Sequence, residues 1–319
     1  MENLTLIGTA DRGIGNDLDN TIIGNDSGNF LDGGLGADQL EGRDGGDTYT
    51  ISEEGDRIIE TGTTGVDRVI SSISFTLANN LEILDLIGTA ATGIGNGSGN
   101  TINGNEADNF LDGLGGADLL NGGAGSDTYR LDDVGDRVSD TGTDPADIDT
   151  VFSSVGFTLG TNLDNLILEG TNAINGGGNE LNNSLQGNAG SNQLIGDQGD
   201  DILNGGALND DLQGGQGNDT YFVDNTGDRV SEAVNAGLDT VFSSVTFTLR
   251  DNVEILTLTG DANIDGTGNR DANTITGNSG NNRLDGGFGA DRLEGLAGSD
   301  TYLVDNLGDT VIEGSDPRH

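Results

Sequence analysis

Large apolar side chains recur once every nine residues along much of this chain, with polar residues and glycine between them. Residues 15–50 form four contiguous blocks, GNDLDNTII, GNDSGNFLD, GGLGADQLE and GRDGGDTYT, whose eighth positions are Ile22, Leu31, Leu40 and Tyr49. An amphipathic helix needs three or four apolar positions in every two turns, so this spacing excludes one. It predicts short strands of about three residues that alternate with turns of about six.

The nine-residue blocks occur in four groups, at 15–50, 95–130, 178–222 and 268–303, and number 17 in all. If two blocks make one coil, coils stacked about 4.8 Å apart form a parallel sheet on each side. The fold class predicted is therefore all-β, a right-handed parallel β-solenoid with a thin core. An apolar content of 32% suits such a core.

The segments between the groups alternate apolar and polar residues, as in VISSISFTLANNLEILDLIG at 69–88, and similar sequences stand at 151–170 and 241–260. We interpret them as wider coils that continue the solenoid; the alternative is a small separate β-layer. A group of blocks and the segment beside it together form a longer repeating unit. We predict one continuous solenoid over 1–319 with long units at 1–79, 80–161, 162–251 and 252–319, the last one truncated.

Charge narrows the choice of partner. The chain has 12 basic and 55 acidic residues, for a formal net charge of −43. Binding to nucleic acid depends on Lys and Arg contacts to phosphate, so nucleic acid is excluded, and cations are favoured. The absence of Cys excludes disulfides and thiolate metal sites. No apolar run approaches the roughly 20 residues of a membrane-spanning helix.

Glycine-rich turns precede an aspartate at the sixth position of the later blocks, as in GGLGAD, GGAGSD, GGQGND and GLAGSD. Calcium binds six to eight hard oxygens, from carboxylates and carbonyls alike. Glycine readily adopts positive φ, which turns carbonyl oxygens towards one point, and the aspartate adds charge there. Two blocks per coil also predict pairs of aspartates spaced by the length of two blocks: Asp38 with Asp56, Asp118 with Asp136, Asp201 with Asp219, Asp210 with Asp228, and Asp291 with Asp309.

These blocks resemble the RTX (haemolysin-type) nonapeptide, G-G-x-G-x-D-x-U-x, where U is a large apolar residue. The resemblance implies an RTX β-roll that holds several Ca²⁺ ions at its turns. The candidate ligand side chains are Asp38, Asp47, Asp56, Asp118, Asp127, Asp136, Asp201, Asp210, Asp219, Asp228, Asp291, Asp300 and Asp309. The candidate turn glycines are Gly33, Gly36, Gly113, Gly122, Gly125, Gly196, Gly199, Gly214, Gly217, Gly286, Gly289 and Gly298.

Two departures from the motif qualify this expectation. The early blocks of each group carry Asn at the sixth position, and we expect hydrogen-bonded turns there because a neutral amide is a poorer calcium ligand. These residues are Asn20, Asn29, Asn100, Asn109, Asn183, Asn192, Asn273 and Asn282. In addition, Leu208 replaces the fourth-position glycine of the Asp210 turn, which puts that turn's geometry in question.

The resemblance implies a calcium-stabilised structural or adhesive segment of a bacterial protein that leaves by type I secretion and acts outside the cell or at its surface. The alternative is a non-catalytic RTX module of a secreted polysaccharide-active or hydrolytic enzyme; an enzymatic groove on the solenoid is a weaker third reading. Paired carboxylates also occur in glycosidases, but identical repeated pairs favour metal sites. We expect no catalysis. Besides calcium, the expected partners are further copies joined end to end and a surface glycan or cell-surface ligand.

Overall fold

The computed structural model describes residues 2–314, and every regular element in this range is a β-strand. The prediction of an all-β fold is confirmed. The chain divides into two compact parts, Met1–Phe152 and Ser153–His319. Continuity of the solenoid over the whole chain stays a prediction. His319 lies outside the described residues.

The first part contains strands of two to four residues separated by turns. They are β1 (Asn3–Thr5), β2 (Arg12–Ile14), β3 (Thr21–Ile23), β4 (Phe30–Asp32), β5 (Gln39–Glu41), β6 (Thr48–Ile51), β7 (Arg57–Ile59), β8 (Arg68–Ser71), β9 (Phe75–Thr76), β10 (Ile83–Leu86), β11 (Thr92–Ile94), β12 (Thr101–Asn103), β13 (Phe110–Asp112), β14 (Leu119–Asn121), β15 (Thr128–Leu131), β16 (Arg137–Ser139) and β17 (Thr150–Ser153), which ends at the boundary.

The second part repeats this construction, with two longer strands in its third group of blocks. Its strands are β18 (Phe157–Thr158), β19 (Asn165–Leu168), β20 (Gly176–Gly177), β21 (Ser184–Gln186), β22 (Gln193–Gln198), β23 (Ile202–Asn204), β24 (Asp211–Gln216), β25 (Thr220–Val223), β26 (Arg229–Ser231), β27 (Thr240–Ser243), β28 (Phe247–Thr248), β29 (Ile255–Leu258), β30 (Gly266–Thr267), β31 (Thr274–Thr276), β32 (Arg283–Asp285), β33 (Arg292–Glu294), β34 (Thr301–Leu303) and β35 (Thr310–Ile312).

Most strands pair in parallel with the strand two places further along, so alternate strands build opposite sheets; β7, β16 and β26 each end a sheet. In the first part, β1, β3, β5 and β7 form one sheet and the even strands from β2 to β16 form another. Within the block groups the register advances by the length of two blocks, as in Thr21 opposite Gln39 and Phe30 opposite Thr48. Two nine-residue blocks therefore make one coil, as the sequence predicts.

In the first part, the sheet of even strands continues through the segment 69–88, whereas the opposite sheet is interrupted between β7 and β9. In the first part Thr48 lies opposite Arg68, and Arg68 lies opposite Ile83, which in turn pairs with Thr101. For 69–88, and likewise for 241–260, the reading as continued coils is confirmed and a separate β-layer is wrong. The expectation that all these coils are wider is wrong as well, because a longer coil from Thr48 to Arg68 is followed by a shorter one from Arg68 to Ile83.

The core is a file of eighth-position side chains between the sheets. Those from Ile22 to Tyr49 are 0% exposed, as is Tyr221 in the second part. Flanking residues in most strands are more accessible, because side chains alternate between the two faces of a strand. Tyr302 is only half-buried. No helix among residues 2–314 has the length and apolarity to cross a bilayer.

Candidate metal sites

The sixth-position side chains stack from coil to coil. The Oδ1 atom of Asp38 accepts a 2.7 Å hydrogen bond from the backbone N–H of Asn20, one coil earlier. The same contact joins the five aspartate pairs expected from the two-block spacing, which confirms that they are neighbours. Their backbone N–H to Oδ1 distances are 3.1 Å for Asp38–Asp56, 3.0 Å for Asp118–Asp136, 2.8 Å for Asp201–Asp219, 3.0 Å for Asp210–Asp228 and 3.0 Å for Asp291–Asp309.

The second carboxylate oxygen of the block aspartates has a different environment. Among the described residues, the following Oδ2 atoms are buried without a hydrogen-bond partner: those of Asp38, Asp47, Asp118, Asp127, Asp201, Asp210, Asp219, Asp291 and Asp300. Burying an ionised carboxylate is costly unless it is paired or coordinates a metal. A file of such oxygens therefore fits a row of cations.

The first-position glycines leave space for these oxygens. A Cβ atom on Gly33 would overlap the Oδ2 atom of Asp38, and one on Gly196 would overlap that of Asp201. The same holds at Gly113, Gly122, Gly214 and Gly286. The sequence suggested positive φ as the role of the turn glycines; these six do not have it, because their backbones lie outside the left-handed region. Their requirement for glycine is steric.

Positive φ belongs to the second and fourth positions of the aspartate blocks. At the fourth position φ is +112° at Gly36, +97° at Gly125, +104° at Gly199, +136° at Gly217, +128° at Gly289 and +141° at Gly298. Leu208 adopts the same conformation at φ +71°, and Asp210 keeps its hydrogen bond from the N–H of Asn192 at 2.7 Å. The substitution at residue 208 therefore leaves the geometry of that turn intact.

The asparagine turns are of a second kind, because hydrogen bonds within the protein engage both the oxygen and the nitrogen of the side-chain amide. In one of them the Oδ1 atom of Asn100 accepts the N–H of Asn96 at 2.7 Å, and its Nδ2 donates to the carbonyl of Leu81 at 2.9 Å. Asn109 does the same with Asn105 and Ala90. The expected hydrogen-bonded asparagine turns are confirmed. An amide N–H₂ donates to a carbonyl here, whereas a carboxylate has no proton to donate and needs a cation.

The aspartates of the EEGD and similar turns use both oxygens within the protein. Asp56 accepts the N–H groups of Ser52 and Glu53 at Oδ2, in addition to that of Asp38 at Oδ1. Asp136, Asp228 and Asp309 follow the same pattern. These four side chains close their turns, and their assignment as calcium ligands stays a prediction.

Sequence reasoning missed a second arrangement of carboxylates. Within the described residues, three groups bring ligand atoms within 4.8 Å of one another: Asp47–Glu60–Asp67, Asp127–Asp140–Asp149 and Asp219–Glu232–Asp239. We call these the carboxylate triads. The first and second members are separated by the same interval in every triad, and the interval to the third differs only in the second triad. That recurrence was a readable signal, but it lies outside the nine-residue phase.

Burial raises the pKa of these carboxyl groups. Desolvation raises the pKa of Asp118, Asp127 and Asp201 to about 7. A backbone hydrogen bond to each carboxylate lowers the pKa in part, and the charges of neighbouring carboxylates raise it further. Desolvation together with the charges of Asp239 and Asp219 raises the pKa of Glu232 to about 8. The metal-free sites therefore hold negative charge poorly near neutral pH, and a bound cation removes the repulsion.

A parallel solenoid whose turns present buried aspartate oxygens beside glycine-lined space defines a class, the cation-binding repeat solenoids. Comparison with protein-family models identifies the family as the RTX calcium-binding nonapeptide repeat, matched at residues 14–49, 94–129, 177–212, 205–220, 209–229 and 267–302. These matches cover about half of the chain, so the chain belongs to this family and is a calcium-binding structural repeat. A comparison with curated proteins gives no match.

The residues present fit the calcium that the family binds. The Oδ2 atom of Asp201 lies beside the space left by Gly196, and the carbonyl of Gly214 borders that space at 2.6 Å from a Cβ position. Carboxylate and carbonyl oxygens are the donors calcium takes. The block aspartates and the carbonyls of their turns therefore remain the candidate calcium ligands.

Proposed function

We propose that this chain is a calcium-dependent structural segment of a bacterial protein that acts outside the cell or at its surface, and that it reaches that location by type I secretion. The observation that carries the proposal is the repeated buried Oδ2 atom without a partner in the aspartate turns. One such atom could be tolerated, whereas a file of them fits a cation at each step.

Calcium would then control folding. At a formal net charge of −43 the metal-free chain repels itself, and each bound ion removes two charges. The turn ligands come from coils that meet only in the fold, so the free energy of binding becomes free energy of folding. Such a chain stays extended where calcium is scarce and folds where calcium is abundant, which suits export before folding.

Adhesion and the absence of catalysis belong to the same proposal. The described carboxylates repeat with the coils, and repeated equivalent groups suit support better than a single reaction centre. A rigid segment that displays the same surface in every unit would hold a binding site, for a glycan or another cell-surface ligand, away from the cell. If the secreted protein carries a hydrolytic domain as well, this segment would instead stabilise that domain.

Circular dichroism of the full chain tests the proposal. We expect the spectrum of a disordered chain in chelator and a β-spectrum at millimolar calcium. Magnesium should substitute poorly, because it demands tight octahedral geometry and gives up water reluctantly. A chain that shows the same β-content in chelator and in calcium would overturn calcium-dependent folding.

A further inference from the structure

The carboxylate triads are built differently from the aspartate turns. A triad draws its members from side chains alone: the block aspartate, the Glu or Asp directly after β7, β16 or β26, and an aspartate beyond that. In the first triad the backbone N–H of Asp47 donates to Oδ1 of Asp67 at 2.7 Å. In the third, Asp219 donates to Asp239 at 2.8 Å. The block aspartate thus joins its own turn to the longer coil that follows.

Proximity of acids alone does not make a metal site, but the triads also contain buried oxygens without partners. Asp47 and Asp239 are 0% exposed and Asp219 is 1% exposed. The Oδ2 atom of each lacks a hydrogen-bond partner among the described residues. These oxygens belong to the groups whose ligand atoms converge within 4.8 Å.

A tyrosine hydroxyl lies at each triad. The hydroxyl of Tyr49 donates to Glu60, and a Cβ on Gly42 would overlap both that hydroxyl and Oδ2 of Asp47. In the third triad the N–H of Gly214 donates to the Tyr221 hydroxyl at 2.7 Å and to Glu232 at 3.2 Å. The phenol oxygen and the Oδ2 atom therefore share one glycine-lined space.

The second triad keeps this arrangement with a shorter side chain. Asp140 replaces the glutamate, and the Tyr129 hydroxyl donates to its Oδ1 at 3.4 Å. The coil is longer here, because the N–H of Asp127 donates across it to Asp149 at 2.7 Å. The group of three carboxylates is thus retained although both its side-chain length and its coil length differ.

We propose that each carboxylate triad is a second type of calcium site, in which the last block aspartate of a group binds its ion together with two side-chain carboxylates of the coil that follows, beside a tyrosine, instead of with turn carbonyls. All its donors are hard oxygens, which suit calcium and exclude soft metals. The ion would fasten the last block of a group to the longer coil that follows, where the two-block register ends.

Ion counting tests this site. The full chain carrying Glu60→Gln, Asp140→Asn and Glu232→Gln should bind three fewer calcium ions than the unchanged chain, measured by equilibrium dialysis. The matched control is Glu54→Gln, Glu106→Gln and Glu180→Gln, which removes the same charge from exposed positions and should leave the count unchanged. An unchanged count in the triad variant overturns the proposal.

Terbium luminescence locates the ions. The chain has four Tyr and no Trp, and excitation of tyrosine sensitises only terbium bound close to the ring. The triad variant should lose the sensitised emission of Tyr49, Tyr129 and Tyr221, whereas Asp291→Asn, at a turn site outside the triads, should leave their emission intact. Emission unaffected by the triad substitutions contradicts the proposal.

Anomalous scattering from crystals of the unchanged chain grown with terbium needs no variant to fold. A peak between Asp219, Glu232 and Asp239 supports the site. Peaks at the turns alone overturn it while leaving calcium binding by the turns in place. Absence of peaks at both places would instead overturn the turn assignment as well.

Discussion

Leu208 holds a left-handed backbone conformation, φ +71°, that suits glycine. This conformation costs a non-glycine residue roughly 1–2 kcal/mol, and the side chain is 54% exposed, so it recovers little by packing. Leu208→Gly should therefore stabilise the calcium-bound chain by about 0.5–1 kcal/mol, measured by thermal unfolding.

The matched control for this substitution is Leu181→Gly, at the same block position, 41% exposed and without positive φ. Glycine there only adds freedom to the unfolded chain and should destabilise by about 0.5–1 kcal/mol. Shifts of the same sign for both variants would contradict the strain at Leu208.

Gly196 tests the steric role of the first-position glycines. A Cβ there would overlap Oδ2 of Asp201, so Gly196→Ala should displace the carboxylate. We expect weaker calcium binding, by calorimetry, and a loss of about 2 kcal/mol or more in stability. Gly97→Ala is the control, since a Cβ at Gly97 meets no atom within 4 Å. Equal behaviour of the two variants would refute the steric argument.

At the scale of the turn, the chain contains two kinds of sixth-position side chain. An asparagine amide completes the hydrogen bonds of its own turn, whereas an aspartate carboxylate leaves one oxygen for an ion. Asp201→Asn keeps the shape and removes the charge, so the calcium concentration for half-folding should rise several-fold, because ligand charge tunes calcium affinity. A calcium titration by circular dichroism measures it. Asp200→Asn, an exposed neighbour with the same charge change, should shift the midpoint little, and identical midpoints would show that ligand charge is unimportant.

The short strands and turns of this fold are predictable because each block repeats the same sequence pattern. An apolar residue at the eighth position, such as Leu31, marks a strand, and the aspartates of GGxGxD mark the turns with a buried carboxylate oxygen. The triads were missed because Glu60 and Asp67 lie in segments without the nine-residue phase. The three carboxylates of a triad come together only where a coil is longer than two blocks. The length of a coil depends on strand register, which the local sequence does not show.

The distinct roles of the glycines were also beyond the sequence. The motif shows that Gly33 and Gly36 are both glycine, but not that one must lack a Cβ and the other must adopt positive φ. Likewise the two-block spacing brings Asp38 next to Asp56 without showing that backbone N–H groups already occupy both oxygens of Asp56.

For the whole molecule, the raised pKa values predict an unusual dependence on pH. The pKa of Asp47 and Asp210 is raised from 3.8 to about 6, and that of Asp118 and Asp201 to about 7. A carboxyl group whose pKa is higher in the fold stabilises it at low pH, and this contribution disappears as pH rises through the folded pKa. The metal-free chain should therefore gain β-structure between pH 8 and pH 4.

Circular dichroism in metal-depleted buffers measures this effect. With calcium present, β-structure should instead decrease as the pH falls, because protons compete with calcium for the ligands. A parallel series in about 1 M salt, which screens long-range repulsion, separates the local carboxyl effect from the net charge of −43. A metal-free chain that stays unfolded at pH 4 in both series would count against these pKa shifts.

The ladder of sixth-position contacts also has a direction. In both parts a backbone N–H of an earlier coil donates to a side chain of the next coil, as from Asn20 to Asp38 and from Asn183 to Asp201. A coil without a successor turns this N–H to water, and a coil without a predecessor turns a side-chain oxygen to water. The two ends of a stack are thus chemically unequal, with hydrogen-bond donors at the carboxyl-terminal end and acceptors at the amino-terminal end.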